Sequence, residues 1–175
     1  MFKIPGRKKT DSALKHRNNR EHRFLNMDMM KRVLILFNYE DWYQVKEIVQ
    51  DMEAKGKEVL LWTIEPKKGK EKGTIKETPS ASRIRIITTK EISWFFGLSP
   101  MVKKEFEELA CDTLLDLTTY TDKHLHSLLA ISGAQFCIGI KELDDKIYDF
   151  TIIKEEEKDL LDTYNQIKFY LNNIR

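Results

Sequence analysis

Two apolar runs of strand length, separated by one helix-length amphipathic stretch, constrain this chain more than any other feature. The first run is Val33-Leu34-Ile35-Leu36-Phe37, which stops at Asn38. An uninterrupted apolar strand is one covered on both faces, the habit of parallel sheets. Trp42, Val45, Ile48, Val49 and Met52 then recur at three- and four-residue intervals, and Gly56 stands where a left-handed helix cap belongs. The second run is Val59-Leu60-Leu61-Trp62-Thr63-Ile64. Strand, helix and strand in that order predict a βαβ unit with a right-handed crossover.

The alternation continues. Ile84, Ile86 and Ile87 mark a short third strand. Met101, Phe106 and Leu109 predict a helix over about 100–110, and Thr113-Leu114-Leu115-Asp116-Leu117 reads as a fourth strand. Thr121 or Asp122 can cap a helix that buries Leu125, Leu128, Leu129 and Ile131, and Gly133 ends it. Residues 134–140 give a fifth strand and residues 148–153 a shorter sixth element. Leu160, Tyr164, Ile167, Leu171 and Ile174 close the chain with an amphipathic helix. Between the second and third strands, residues 65–82 hold five lysines, two glycines and two prolines, the composition of a long loop.

This pattern predicts an α/β fold: a three-layer sandwich around a mainly parallel, five- to six-stranded Rossmann-like sheet, occupying residues 31–175. Its strand order, flavodoxin-like or half of a Rossmann sheet, stays open. Residues 1–30 form a basic N-terminal arm, helical or flexible, with a ragged apolar stripe over 10–25. The whole chain has a formal charge of +2, but residues 1–32 carry +7 and the remainder −5. Arg7, Lys8, Lys9, Lys15, Arg17, Arg20 and Arg23 are therefore the candidate partner-binding cations. Such an arm suits RNA, the ribosome, an acidic protein face or an anionic membrane surface, or it is a solvated tail.

Ligands of open parallel sheets sit beyond the carboxyl ends of the strands, at the switch point. Here that rule selects Asn38, Glu40, Thr88, Asp116, Thr118 and Thr119 as candidate ligand-binding residues. Asp116 is the most informative of them, because a carboxylate inside an apolar strand is costly unless bonded or paired. It reads either as a general base or ligand anchor, or as an acceptor that locks the neighbouring turns, with the second reading favoured.

Several chemistries are disfavoured. The first strand is followed by Asn38-Tyr39-Glu40-Asp41-Trp42, without a glycine and with two acids, so a dinucleotide pyrophosphate has no backbone cradle. No glycine-rich run ends in Gly-Lys-Ser/Thr, so a P-loop is missing too. His124 and His126 stand two residues apart and diverge on a helix, and Cys111 has no C-x-x-C partner, so no metal site is expected. No cofactor and no catalytic residue is assigned. Two cysteines, Cys111 and Cys137, make no disulfide framework, and the longest apolar run, residues 33–37, is far too short to span a bilayer. A cytoplasmic protein is the expectation. Trp94-Phe95-Phe96 is expected to pack an interlayer core with Trp62; the rival readings are a stacking platform for a base or sugar and, where exposed, a homodimer contact.

Three segments together carry a resemblance: Ile87-Thr88-Thr89-Lys90-Glu91-Ile92-Ser93-Trp94-Phe95-Phe96-Gly97, Asp112-Thr113-Leu114-Leu115-Asp116-Leu117-Thr118, and Leu128-Leu129-Ala130-Ile131-Ser132-Gly133-Ala134-Gln135-Phe136-Cys137-Ile138-Gly139. With the basic start and the final helix, they resemble an uncharacterised family of small bacterial proteins with a Rossmann-like domain of unknown function. The second and third segments are also similar to one βαβ unit of the heptosyltransferase-type glycosyltransferases. Those enzymes need two such domains with a cleft between, so the likeness implies scaffold and no catalytic residues. Function is thus unassigned. The leading expectation is a non-catalytic interaction module whose basic arm docks on an acidic partner or RNA; the alternative is a small-ligand-binding protein or enzyme using the strand ends.

Overall fold

The computed structural model describes residues 20–66 and 83–174. Its elements are β1 (Arg32–Leu36), α1 (Trp42–Ala54), β2 (Glu58–Ile64), β3 (Ile84–Ile87), β4 (Ile92–Ser93), β5 (Gly97–Leu98), α2 (Pro100–Glu107), β6 (Thr113–Asp116), α3 (Lys123–Ile131), β7 (Phe136–Gly139), β8 (Phe150–Thr151) and α4 (Leu160–Asn173). Six strands form one parallel sheet in the order β3-β2-β1-β6-β7-β8. Taken along the chain, that is the 3-2-1-4-5-6 order of a Rossmann sheet, so β1 and β6 flank the switch point. The open choice of strand order is thereby closed.

The apolar runs are explained by burial on both faces. Val33, Ile35, Leu61, Leu115 and Ile138 point into one core, shared with Trp42, Val45 and Ile48 of α1 and Leu160, Tyr164 and Ile167 of α4. Leu34, Leu36, Trp62, Leu114 and Cys137 point into the other, shared with Val102 and Phe106 of α2 and Leu125 and Leu128 of α3. Both layers sit at consecutive positions of the same strands, which is why the period-two signal vanishes from the sequence.

Local chemistry sets the element ends. Gly56, at φ 77°, turns the chain out of α1 into β2. Ser99 caps α2 by accepting from Val102 N at 3.3 Å. Asp122 caps α3 by accepting from His124 N and Leu125 N at 2.8 and 3.1 Å. Asp159 does the same for α4 through Asp162 N.

Two expectations are corrected. Residues 20–30 belong to the body: Leu25, Met27 and Met30 are buried, and Phe24 meets Phe136 edge-on at 5.3 Å. Residues 20–25 are not helical, and the rest of the 10–25 stretch lies outside the described residues. The ragged stripe misleads over 20–25 because this segment is held by contacts more than a hundred residues away, such as Arg23 N to Gln135 O at 3.0 Å. The second correction concerns Trp94, Phe95 and Phe96, which are 92%, 83% and 78% exposed. They form the turn of the β4–β5 hairpin, where Gly97 takes φ 71°, and so project outward. Phe106 takes the place beside Trp62, edge-on at 5.2 Å.

Candidate functional site

The site begins with the way β1 ends. Phe37 and Asn38 follow the strand and are both buried. Phe37 is anchored by its amide to Trp62 O and by Thr63 Oγ1, which donates to its carbonyl at 2.8 Å. Asn38 Oδ1 accepts from Thr119 N at 2.8 Å and Thr119 Oγ1 at 3.2 Å, tying the end of β1 to the turn after β6. The switch point is therefore bridged by one buried amide rather than left open for a pyrophosphate. A step further out, Tyr120 OH donates to Glu40 Oε1 at 2.9 Å. Burial, and then the Glu40 carboxylate, push the Tyr120 phenol above its usual range. Asp41 is also raised, by burial first and by Glu40 second.

These turns enclose an open cavity of about 1140 Å³ beyond the ends of β1, β2 and β6. Its floor is apolar: Phe37, Ile64, Ile92 and Leu125, with Trp94 at one edge. Its charged groups are mainly acidic, the carboxylates of Glu40, Glu65 and Asp122 lining it together with Lys123, His124 and several hydroxyls. Glu65 Oε2 accepts from Thr89 N at 3.3 Å, joining the end of β2 to the turn after β3. The first turn of α3 reaches this wall, but its amides are already taken by Asp122. The position that would attract an anion thus carries a built-in carboxylate.

Asp116 is placed elsewhere. Its carboxylate is buried and accepts from Thr118 N (2.9 Å), Thr118 Oγ1 (2.5 Å), Lys141 Nζ (2.9 Å) and Tyr148 OH (2.5 Å). Lys141 also donates to Thr118 O at 3.1 Å and to Thr118 Oγ1. Burial, followed by the Asp116 carboxylate, drives the Tyr148 phenol upward. Four donors on one carboxylate make a closed knot that fixes the turns after β6 and β7. The cost of burying the charge is offset inside the fold, and Asp116 does not line the cavity.

Of the six sequence-selected ligand residues, the structure places Asn38 and Glu40 on the cavity wall. Asp116 and Thr118 lie in the knot, Thr119 bonds Asn38, and Thr88 caps the 3-10 turn 89–91 with Glu91. Lys141 and Tyr148 were missed, although Lys141 stands two residues past the end of β7 and the strand-end rule would reach it. Of the arm cations, Arg7, Lys8, Lys9, Lys15 and Arg17 lie outside the described residues. Arg23 is exposed. Arg20 is corrected to a structural residue: its guanidinium donates to Ala134 O at 2.8 Å and Ile147 O at 3.3 Å and pairs with Asp149 at 2.7 Å.

Among the described residues, no group of three or more His, Cys, Asp and Glu is placed to hold a metal ion. His126 Nε2 lies 2.8 Å from Asp145 Oδ2. No helix of the described residues is long and apolar enough to cross a membrane.

The family model described as "Family of unknown function (DUF6913)" matches residues 3–174. No curated protein and no solved structure matches the chain.

Proposed function

We propose that the chain, which belongs to the DUF6913 family of unknown function, is a small-ligand-binding module with its site in the switch-point cavity. One observation carries this reading: a cavity of about 1140 Å³ lies where a Rossmann strand order puts a ligand, and it has an apolar floor and acidic walls. Its chemistry selects the ligand class. Glu40, Glu65 and Asp122 each hold one carboxylate oxygen on an internal donor and offer the other as an acceptor. A hydrogen-bond-donating organic molecule, an amine foremost, matches such walls, and its apolar part meets Ile64, Ile92 and Trp94. Phosphates and carboxylates are repelled by the same three groups.

The test is a thermal-shift and calorimetric titration of the full chain with primary amines, amino acids, sugars and nucleoside diphosphates. Amines are expected to bind, and Glu40→Gln and Glu65→Gln are each expected to weaken them about tenfold, the loss of one charge-assisted hydrogen bond. Preference for nucleotides, or amine binding indifferent to both variants, overturns the reading.

A second reading rests on the +7 charge of residues 1–32: docking of the basic segment on RNA or an acidic partner. Arg20 contributes nothing to it, being bonded internally. A chain lacking residues 1–19 should then lose a salt-sensitive interaction that the full chain makes with RNA. Equal binding by both chains rejects this reading.

A further inference from the structure

The hairpin tip Trp94-Phe95-Phe96 presents three consecutive aromatic rings to water, and Met101 beside it on α2 is 78% exposed. These four are the most exposed of the large apolar side chains among the described residues, and a contiguous aromatic cluster of this kind is a contact surface by composition. It is also held rigidly. Arg85 forms ion pairs with Glu91 at 2.6 Å and Glu105 at 2.9 Å, locking the base of the hairpin to β3 and α2. Ser99 N donates to Glu91 O at 2.8 Å, and Phe96 N to Ser93 Oγ at 3.4 Å. A tip fixed in this way loses little freedom on docking.

Two features of this surface identify the occupant. First, convex and concave surfaces adjoin: Trp94 belongs to the tip and to the edge of the apolar-floored cavity. A patch that places a knob beside a hole is complementary to itself under a two-fold rotation, the requirement of an isologous interface. Second, the flanking charge is mixed. Lys90 stands at the hairpin base and Lys103 and Lys104 of α2 are followed by Glu107 and Glu108, while Glu91 and Glu105 are already paired with Arg85. An anionic bilayer or a nucleic acid calls for a field of one sign, whereas mixed charge pairs with its own copy.

We infer that the chain associates with a second copy of itself through the 94–96 tip, each tip lying over the mouth of the other copy's cavity. The partner thereby contributes aromatic residues to the wall of the strand-end site. The inference uses the cavity as a shape and stands whether or not a ligand occupies it.

The experiment is sedimentation velocity and light scattering of the full chain, without ligand, over a wide concentration range. A concentration-dependent two-chain mass is expected. Phe95→Ser with Phe96→Ser, both at exposed positions, should raise the dimer dissociation constant on the order of thirtyfold, the loss of a hot spot, with the melting temperature unchanged at dilutions where both proteins are single chains. Mixing Phe96→Cys chains with Thr121→Cys chains under oxidation should give a mixed disulfide dimer in preference to either like pair. A single-chain mass at every concentration overturns the inference, as does a dimer indifferent to the two serines. A monomer that binds anionic phospholipid vesicles through the tip assigns the surface to lipid and overturns it too. A tip-dependent dimer that gives only Phe96→Cys like pairs overturns the tip-over-cavity arrangement.

Discussion

The ring of Tyr148 occupies the space above Gly139: a Cβ on that glycine would lie 2.2 Å from the ring carbon Cε2. Gly139 is also the register partner of Asp116 across β6 and β7. The missing side chain is what lets the phenol cross β7 and reach the buried carboxylate at 2.5 Å. Glycine here serves close approach, since no positive φ is involved.

Gly139→Ala should therefore destabilise the fold by about 1–3 kcal/mol through overpacking. Tyr148→Phe, which keeps the ring and removes one donor from Asp116, should cost about 1–2 kcal/mol. Urea denaturation of the two variants checks both values. A neutral Tyr148→Phe would mean that Lys141 and Thr118 already satisfy the carboxylate.

The N-terminal boundary of the body is testable by truncation. Removing residues 1–29 takes away the Arg20 bonds and the buried side chains of Leu25 and Met27. It also takes the Met27 carbonyl from Lys57, a buried cation that donates there and to Met30 O at 2.9 Å. Each buried apolar side chain contributes about 1.5–3 kcal/mol, so the loss should reach several kcal/mol, a large share of a domain's ordinary ~5–15. Removing residues 1–19, which touches none of these contacts, is the reference. Equal melting temperatures for the two truncations would refute the assignment.

The hairpin base should respond to acid. The Arg85 guanidinium, aided by Thr88, holds the Glu91 carboxyl well below its ordinary 4.5, at about 2. A carboxyl depressed in the folded state adds stability above its unfolded value and loses it as pH falls toward the folded one. Stability should decline between about pH 4.5 and 2. Arg85→Met should flatten the Glu91 part of that decline, read as denaturation midpoints across the same range. An Arg85→Met profile parallel to that of the parent chain would show that the pair adds nothing.

Burial, with Asp112 next to it, pushes the Cys111 thiol up to about 11. Little thiolate is then present near neutrality, and the thiolate is the reactive form. Disulfide exchange with an aromatic disulfide reagent should be slow in the folded chain and should become fast on unfolding. Cys137, fully buried, should follow the same course. Rapid labelling of the native protein at neutral pH would contradict this.

Much of the fold was legible before the structure, because it is written in short-range periodicity. The apolar runs 33–37 and 59–64 gave parallel strands, the spacing of Trp42 to Met52 gave a helix, and Gly56 and Asp122 bounded elements, while the 123–131 helix is capped at Ser132, one residue before Gly133. The cavity at the strand ends, which Asn38 and Glu40 line, lies where the fold class directs attention.

What only the tertiary structure decided are the relations between residues far apart in the chain. Periodicity could not choose the order β3-β2-β1-β6-β7-β8, because every one of these strands has an equally apolar neighbour. Nor could it show that Asp116 is answered by Lys141 and Tyr148, which engages it inside the fold and away from the cavity. The same limit applies to Arg20, a cation by composition and a core fastener by its bonds to Ala134 and Asp149. Trp94, Phe95 and Phe96 mark it most clearly, since an aromatic run has the same composition in a core or at a hairpin tip. By itself the sequence determined which segments are strand and helix, since backbone preference and side-chain period act over a few residues. The tertiary structure alone decided which polar groups are satisfied and which apolar groups are covered, because burial is a property of what the rest of the chain brings alongside.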